Sequence, residues 1–181
     1  MMESGFEWPW QYSFPPFFTI QPNTDTRTKQ LEDWCSLLLQ YCKYHSIYKI
    51  DIGDAQSSSL FWNKAINRRL QTEGINSIME RLKDQGNLEW EDSKTKNRCF
   101  VYWRTPEEWA DVINAWVKTN GLDDTVCTLY ELTSEEGVGN DEFKGIDMFV
   151  LKKALQVLER RGKAQLIVGD DTMEEGVKFF S

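Results

Sequence analysis

The sequence predicts an α+β protein: two small tandem domains, each a three-helix core carrying a β-hairpin, behind an extended arm rich in proline and aromatic residues. Length is the first observation behind this. The chain has 181 residues, which suits two compact domains of about 75–100 residues each. An internal repeat is the second. Trp34, Leu37, Leu38 and Tyr41 moved by 75 positions fall on Trp109, Val112, Ile113 and Trp116; Ile75, Met79, Leu82 and Gly86 moved by 76 fall on Leu151, Leu155, Leu158 and Gly162. The third is order: both halves read helix, short strand, helix, helix, strand, loop, strand, which is the winged-helix variant of helix-turn-helix. The boundaries that follow are an arm over residues 1–22, a first winged helix over 23–104 and a second over 105–181.

The arm comes first. Phe6, Trp8, Trp10, Tyr12, Phe14, Phe17 and Phe18 crowd into thirteen residues with Pro9, Pro15 and Pro16. Three prolines exclude a helix through this stretch. The alternating aromatics from Trp8 to Phe14 would project from one side of an extended or polyproline-like chain. Two readings follow. The arm folds back to complete its own domain, because an exposed aromatic run invites aggregation. Alternatively part of it, above all Pro15, Pro16, Phe17 and Phe18, fills a pocket on a partner. Both can hold, for different residues.

Next, Asp25 or Thr26 can cap a helix reaching about His45 with Leu31, Trp34, Leu38 and Tyr41 on one face. Ile47–Ile52 alternates like a short strand, and residues 60–70 have a weakly helical pattern. The stripe Ile75, Ile78, Met79 and Leu82 ends at Gly86, a natural helix C-terminal residue. Strands at residues 88–90 and 99–103 then flank a polar loop.

In the second half, Pro106-Glu107-Glu108 is a helix start, with acids at the positive end of the dipole. Asn120-Gly121 ends that helix. Val126-Cys127 forms a brief strand, and Thr128 with Glu131 has capping-box spacing. Asp147 can cap a last helix striped by Leu151, Ala154, Leu155 and Leu158. Strands at residues 164–168 and 177–180 flank the final loop. Around this last helix, at ~100° per residue, Met148 falls with the core stripe. Phe149 falls on the opposite side with Lys153, Gln156 and Arg160, either tucked under the preceding loop or in contact with a partner.

Several function classes are excluded by composition. Twenty-nine acids against 21 bases give a formal charge of -8, which disfavours non-specific adhesion to nucleic acid or anionic lipid. No apolar run approaches the ~18 residues of a membrane span, and no signal-peptide pattern opens the chain, so the expectation is cytosol or nucleus. Cys35, Cys42, Cys99 and Cys127 form no Cys-x-x-Cys pair, and His45 is the only histidine. These read as packed thiols and a surface histidine, with no metal, no cofactor and no catalytic constellation. Nucleic-acid readout is weighed by charge. The last helix is +2 with Lys152, Lys153, Arg160 and Arg161, but its wing carries Asp170, Asp171, Glu174 and Glu175 and no base. A wing at -4 is repelled by phosphate. A winged-helix DNA-binding transcription regulator is the alternative function.

The stretches FEWPWQY, FPPFFT, QGNLEW, WRTPEEWA, TLYELT and GVKFF, spread from residue 6 to 180, resemble the vacuolar protein sorting-associated protein 25 family, the small subunits of the ESCRT-II complex. The resemblance implies a non-enzymatic adaptor, with two winged helices, that helps sort ubiquitinated membrane cargo into multivesicular bodies. It would act in the cytoplasm, peripheral at the endosomal membrane through the complex and without inserting into it. Two copies would join the two other ESCRT-II subunits, each docking through the segment that corresponds to Pro15, Pro16 and Phe17, with Phe18 beside them. Lipid and ubiquitin contacts would belong to another subunit. The second domain would recruit an ESCRT-III subunit. The surface offered for that is Phe149 and Lys153 with Asp170, Asp171, Glu174 and Glu175. Those acids would steer the basic first helix that the resemblance implies for ESCRT-III cores.

Overall fold

The computed structural model describes residues 5–134, 142–168 and 175–181. The chain divides into two compact units, Met1–Trp103 and Arg104–Ser181, and each has buried side chains of its own. The arm belongs to the first unit rather than standing apart from it.

The arm is not extended. It forms two short 3-10 turns, Trp10–Ser13 and Pro15–Phe18. The N–H groups of Tyr12, Phe14, Phe17 and Thr19 each donate to the carbonyl three residues back. Proline tolerates the first turn of a helix, where its missing N–H is not needed. The sequence rule excluding a long helix through these prolines therefore leaves a single 3-10 turn open. Turning the backbone also destroys the one-sided display expected of Trp8–Phe14: Tyr12 points inward while Trp10 and Phe14 are exposed.

Helix α1 spans Thr24–His45. Its cap is Asn23, whose side chain accepts from the Thr26 N–H, so the helix begins slightly before the expected Asp25 or Thr26. It ends where Ser46 turns left-handed at φ 53°. Strand β1 (Lys49–Asp51) leads into the one-turn helix α2 (Ile52–Ala55), capped by the Asp51 carboxylate. The weakly helical pattern over residues 60–70 is overturned here. Strands β2 (Trp62–Asn63) and β3 (Arg68–Arg69) pair as an antiparallel hairpin. Asn67 takes φ 50° in its turn, a conformation that asparagine tolerates better than most side chains. Buried Phe61 and Leu70 anchor its two ends, and the Leu70 N–H donates to the Phe61 carbonyl. Helix α3 (Thr72–Asp84) and strands β4 (Leu88–Trp90) and β5 (Arg98–Val101) complete the unit, with sheet order β1-β5-β4.

The second unit runs α4 (Pro106–Thr119), β6 (Val126–Thr128), α5 (Leu129–Thr133), α6 (Met148–Arg160), β7 (Ala164–Ile167) and β8 (Gly176–Phe179). Local signals placed these elements well. Thr105 caps α4, both halves of the Thr128/Glu131 capping box are made, and Asp147 caps α6. Its sheet order is β6-β8-β7. In both units the last strand lies centrally, between the early strand and its hairpin partner, so the repeated element order corresponds to a repeated sheet topology. One expectation on α6 fails: Met148 is 38% exposed. As the first helical residue it precedes the turn that packs, so the angular rule does not bind it to the core.

Candidate functional site

Trp34 of α1 organises the arm. Its side chain is fully buried, and its indole N–H donates to the Phe17 carbonyl at 2.9 Å. The Phe17 ring stacks on it at 4.2 Å and 2°, and Phe18 meets it edge-on at 5.4 Å. Gln30, a buried polar residue, donates its amide to the carbonyls of Phe17 (3.0 Å) and Thr19 (2.8 Å). Its own oxygen accepts from the Gln21 N–H at 3.0 Å. From the hairpin, buried Asn63 donates to the Tyr12 carbonyl at 2.7 Å, while the Tyr12 hydroxyl donates to the Ser59 carbonyl. Each buried backbone group of the arm named here finds a protein partner, so the arm is a finished part of the fold.

This separates the four arm residues singled out from sequence. Pro15 and Pro16 are exposed, whereas Phe17 and Phe18 are only 5% and 3% exposed. In this conformation α1 already holds both phenylalanine rings. The rings that the arm does present are Trp10, 71% exposed, and Phe14, 47% exposed, with centroids 5.6 Å apart. Sequence reasoning passed over this pair as a site. The available signal was their spacing of four, which a turn brings together and an extended strand does not. Both line an open groove of about 860 Å³ together with Pro16, Asp25, Lys29 and Asp33. Lys29 is held to Asp33 at 3.0 Å.

In the second unit the structure brings Phe149 and Lys153 together. The ring is half-buried, neither fully tucked in nor fully displayed, and the Lys153 ammonium lies 5.2 Å from its centroid. Of the four wing acids, Asp170, Asp171 and Glu174 lie outside the described residues. Glu175 reaches back to α6, where its carboxylate pairs with Lys152 at 2.7 Å. The basic patch is likewise engaged, since Arg161 pairs with Asp111 at 2.7 Å. Exposed apolar residues that the sequence did not flag are Val126, Tyr130, Ile167 and Val168, on or beside α5 and the two outer strands.

Metal-ligand chemistry finds no constellation among the described residues. No group of three or more potential ligands is assembled there. Burial pushes the thiols of Cys42 and Cys99 up to about 12 and that of Cys35 to about 11, which suppresses the reactive thiolate at neutral pH.

A family model described as an ESCRT-II complex subunit matches residues 11–147. The chain is 51% identical to the Danio rerio vacuolar protein-sorting-associated protein 25, over 97% of this chain and 99% of that protein. It is 48% identical to the Homo sapiens protein of the same name, over 99% and 100%. Among solved structures it resembles the subunit VPS25 of the endosomal trafficking complex ESCRT-II, with a TM-score of 0.84 and 31% identity over 94% of this chain and 97% of that one. It also resembles a chain of the ESCRT-II complex of VPS22, VPS25 and VPS36, with a TM-score of 0.81 and 29% identity over 94% and 98%.

Proposed function

The chain belongs to the ESCRT-II complex subunit family, and on that premise we propose that it is a non-enzymatic adaptor of this endosomal trafficking complex, acting in the sorting of ubiquitinated cargo into multivesicular bodies. The arm is the end that joins the complex, docking on the VPS22 and VPS36 subunits with two copies of this chain per assembly. One observation carries this reading: two large exposed rings, Trp10 and Phe14, stand beside exposed Pro15 and Pro16 on a segment already fixed by Trp34, Gln30 and Asn63. A preordered aromatic anchor loses little conformational freedom on binding. Phe17 and Phe18 contribute from beneath by holding the segment in shape.

The second unit recruits an ESCRT-III subunit through Phe149 and Lys153 of α6 and the wing acids Asp170, Asp171, Glu174 and Glu175. The pairing of Glu175 with Lys152 supports this, because it sets one of these acids against the helix that carries Phe149. The two-winged-helix reading is supported by the matching sheet orders. Among the described residues no helix is long and apolar enough to cross a membrane, and the protein reaches the endosome through its complex. The transcription-regulator alternative has no observation in its favour, since the relatives named above are all ESCRT-II subunits.

The test is reconstitution with the other two ESCRT-II subunits. The Trp10→Ala, Phe14→Ala double variant should keep its melting temperature and lose about 2 kcal/mol or more of binding. Undiminished affinity in that folded variant would overturn the docking role of the arm.

A further inference from the structure

The β2–β3 hairpin is basic within an acidic chain. Residues 62–69 contain Lys64, Arg68 and Arg69 and no acid. Trp62 lies opposite Arg69 in the register, and Lys64 follows the strand at the start of the turn. Both reach the indole: the Lys64 ammonium is 4.8 Å from the Trp62 ring centroid, and the Arg69 guanidinium carbon is 5.4 Å from it. Both cations are exposed, and neither is paired with a carboxylate among the described residues. One indole thus holds two cations whose mutual repulsion an anion would relieve.

Beside this face is a small cavity of about 230 Å³ between the hairpin and the arm, lined by Trp8, Ser57, Ser59, Trp62, Asn63 and Lys64 among others. Its polar groups are mainly donors or neutral. Among the described residues the buried Trp8 indole N–H has no hydrogen-bond partner, and a buried donor left unmade is destabilising. The amide of Asn63 is already committed: its N–H₂ donates to Tyr12 and its oxygen accepts from Ala65. The Ser57 and Ser59 hydroxyls and the Lys64 ammonium remain to serve a ligand. Among the described residues no acidic side chain lines the cavity.

We infer that this cavity is a binding site for a carboxylate of an acidic peptide segment, received by Ser57, Ser59 and Lys64 beside the Trp8 indole, with Arg69 adding charge from across the hairpin. Size limits the ligand. At about 230 Å³ the cavity is below the ~300–1,000 Å³ range of whole-ligand pockets and fits the tip of one side chain. Overall charge selects a peptide over an anionic membrane. A membrane presents a plane of charge to the whole chain at -8, whereas one carboxylate is governed by the cations within a screening length of about 8 Å. This site is separate from the exposed Trp10–Phe14 rings and does not depend on the docking role of the arm.

The experiment uses the full chain with ¹⁵N-labelled indole groups, the Trp8 resonance being assigned by its loss in Trp8→Phe. A synthetic peptide of alternating serine and glutamate should shift the Trp8 indole N–H saturably, with affinity weakening as salt rises. The serine–glutamine counterpart should leave it unmoved. Lys64→Ala with Arg69→Ala should keep the melting temperature and bind the acidic peptide about tenfold more weakly. If that pair lowers the melting temperature, Lys64→Gln and Arg69→Gln taken singly should each weaken binding in a folded protein. An unmoved Trp8 resonance at millimolar acidic peptide, an equal response to the glutamine peptide, or unchanged affinity in the folded variants would each overturn the assignment. So would sedimentation of the chain with phosphatidylserine-containing phosphatidylcholine vesicles in the absence of any peptide response, since the cations would then serve a lipid surface.

Discussion

Trp34 shows how much one residue decides. Its ring faces Phe17 and Phe18, and its N–H closes on the Phe17 carbonyl, so removing either phenylalanine leaves a cavity beside a large, rigid neighbour. Phe17→Ala should destabilise the first unit by about 3–5 kcal/mol in urea denaturation. Trp10→Ala, on the exposed side of the same arm, should change stability by less than about 0.5 kcal/mol. Equal costs for the two would contradict the division of the arm into an inner and an outer face. The buried thiols make a second residue-scale prediction. Burial raises Cys42 and Cys99 from the ordinary 9.0 to about 12, so the folded state favours the protonated thiol. Their contribution is complete below pH 9 and is lost as pH rises towards 12. Alkaline titration of the urea midpoint should show this fall, and Cys42→Ala with Cys99→Ala should flatten it.

Among the elements, caps set where helices begin, and the repeat sets where they pack. Asp147 accepts from the N–H groups of both Phe149 and Val150 and so fixes the start of α6, the helix that carries Phe149 and Lys153. Asp147→Ala should cost about 1 kcal/mol, read as a lowered denaturation midpoint of the second unit. Asp147→Asn should recover most of that loss, because an amide oxygen caps nearly as well. The β2–β3 hairpin shows the opposite case. Its two-residue strands are too short for periodicity to reveal, and they exist because Phe61 and Leu70 are buried on either side of a turn at Asn67.

At the scale of the whole molecule, each unit has a separate core, so damage to one need not spread. Deleting residues 1–20 removes Tyr12, Phe17 and Phe18 from the first core and uncovers Trp34. The first unit should lose cooperative unfolding while the second keeps it. Trp109, at 1% exposure in the second core, should retain slow hydrogen exchange at its indole N–H in the truncated chain. Loss of that protection would show that the second core depends on the arm after all.

Most of this architecture is legible in the residues, for an identifiable reason. Helix stripes, the Thr128/Glu131 capping box, the Asp147 cap and the glycines at 86, 121 and 162 are local features. Each states its own conformation through spacing or φ, and the three glycines do take φ of 84°, 63° and 73°. The 75-residue repeat adds the matching order of elements in the two units. The arm is different. Its prolines and aromatics fit a free extended segment and a folded-back one equally well, because nothing local measures how far a ring lies from Trp34. Only packing against α1 separates Phe17 and Phe18, buried under the arm, from Trp10 and Phe14 on its surface. The same limit hides the cavity beside Trp8: the arm, residues 57–59 and the hairpin bring its donors together across about fifty positions of chain, a closeness that sequence periodicity cannot express.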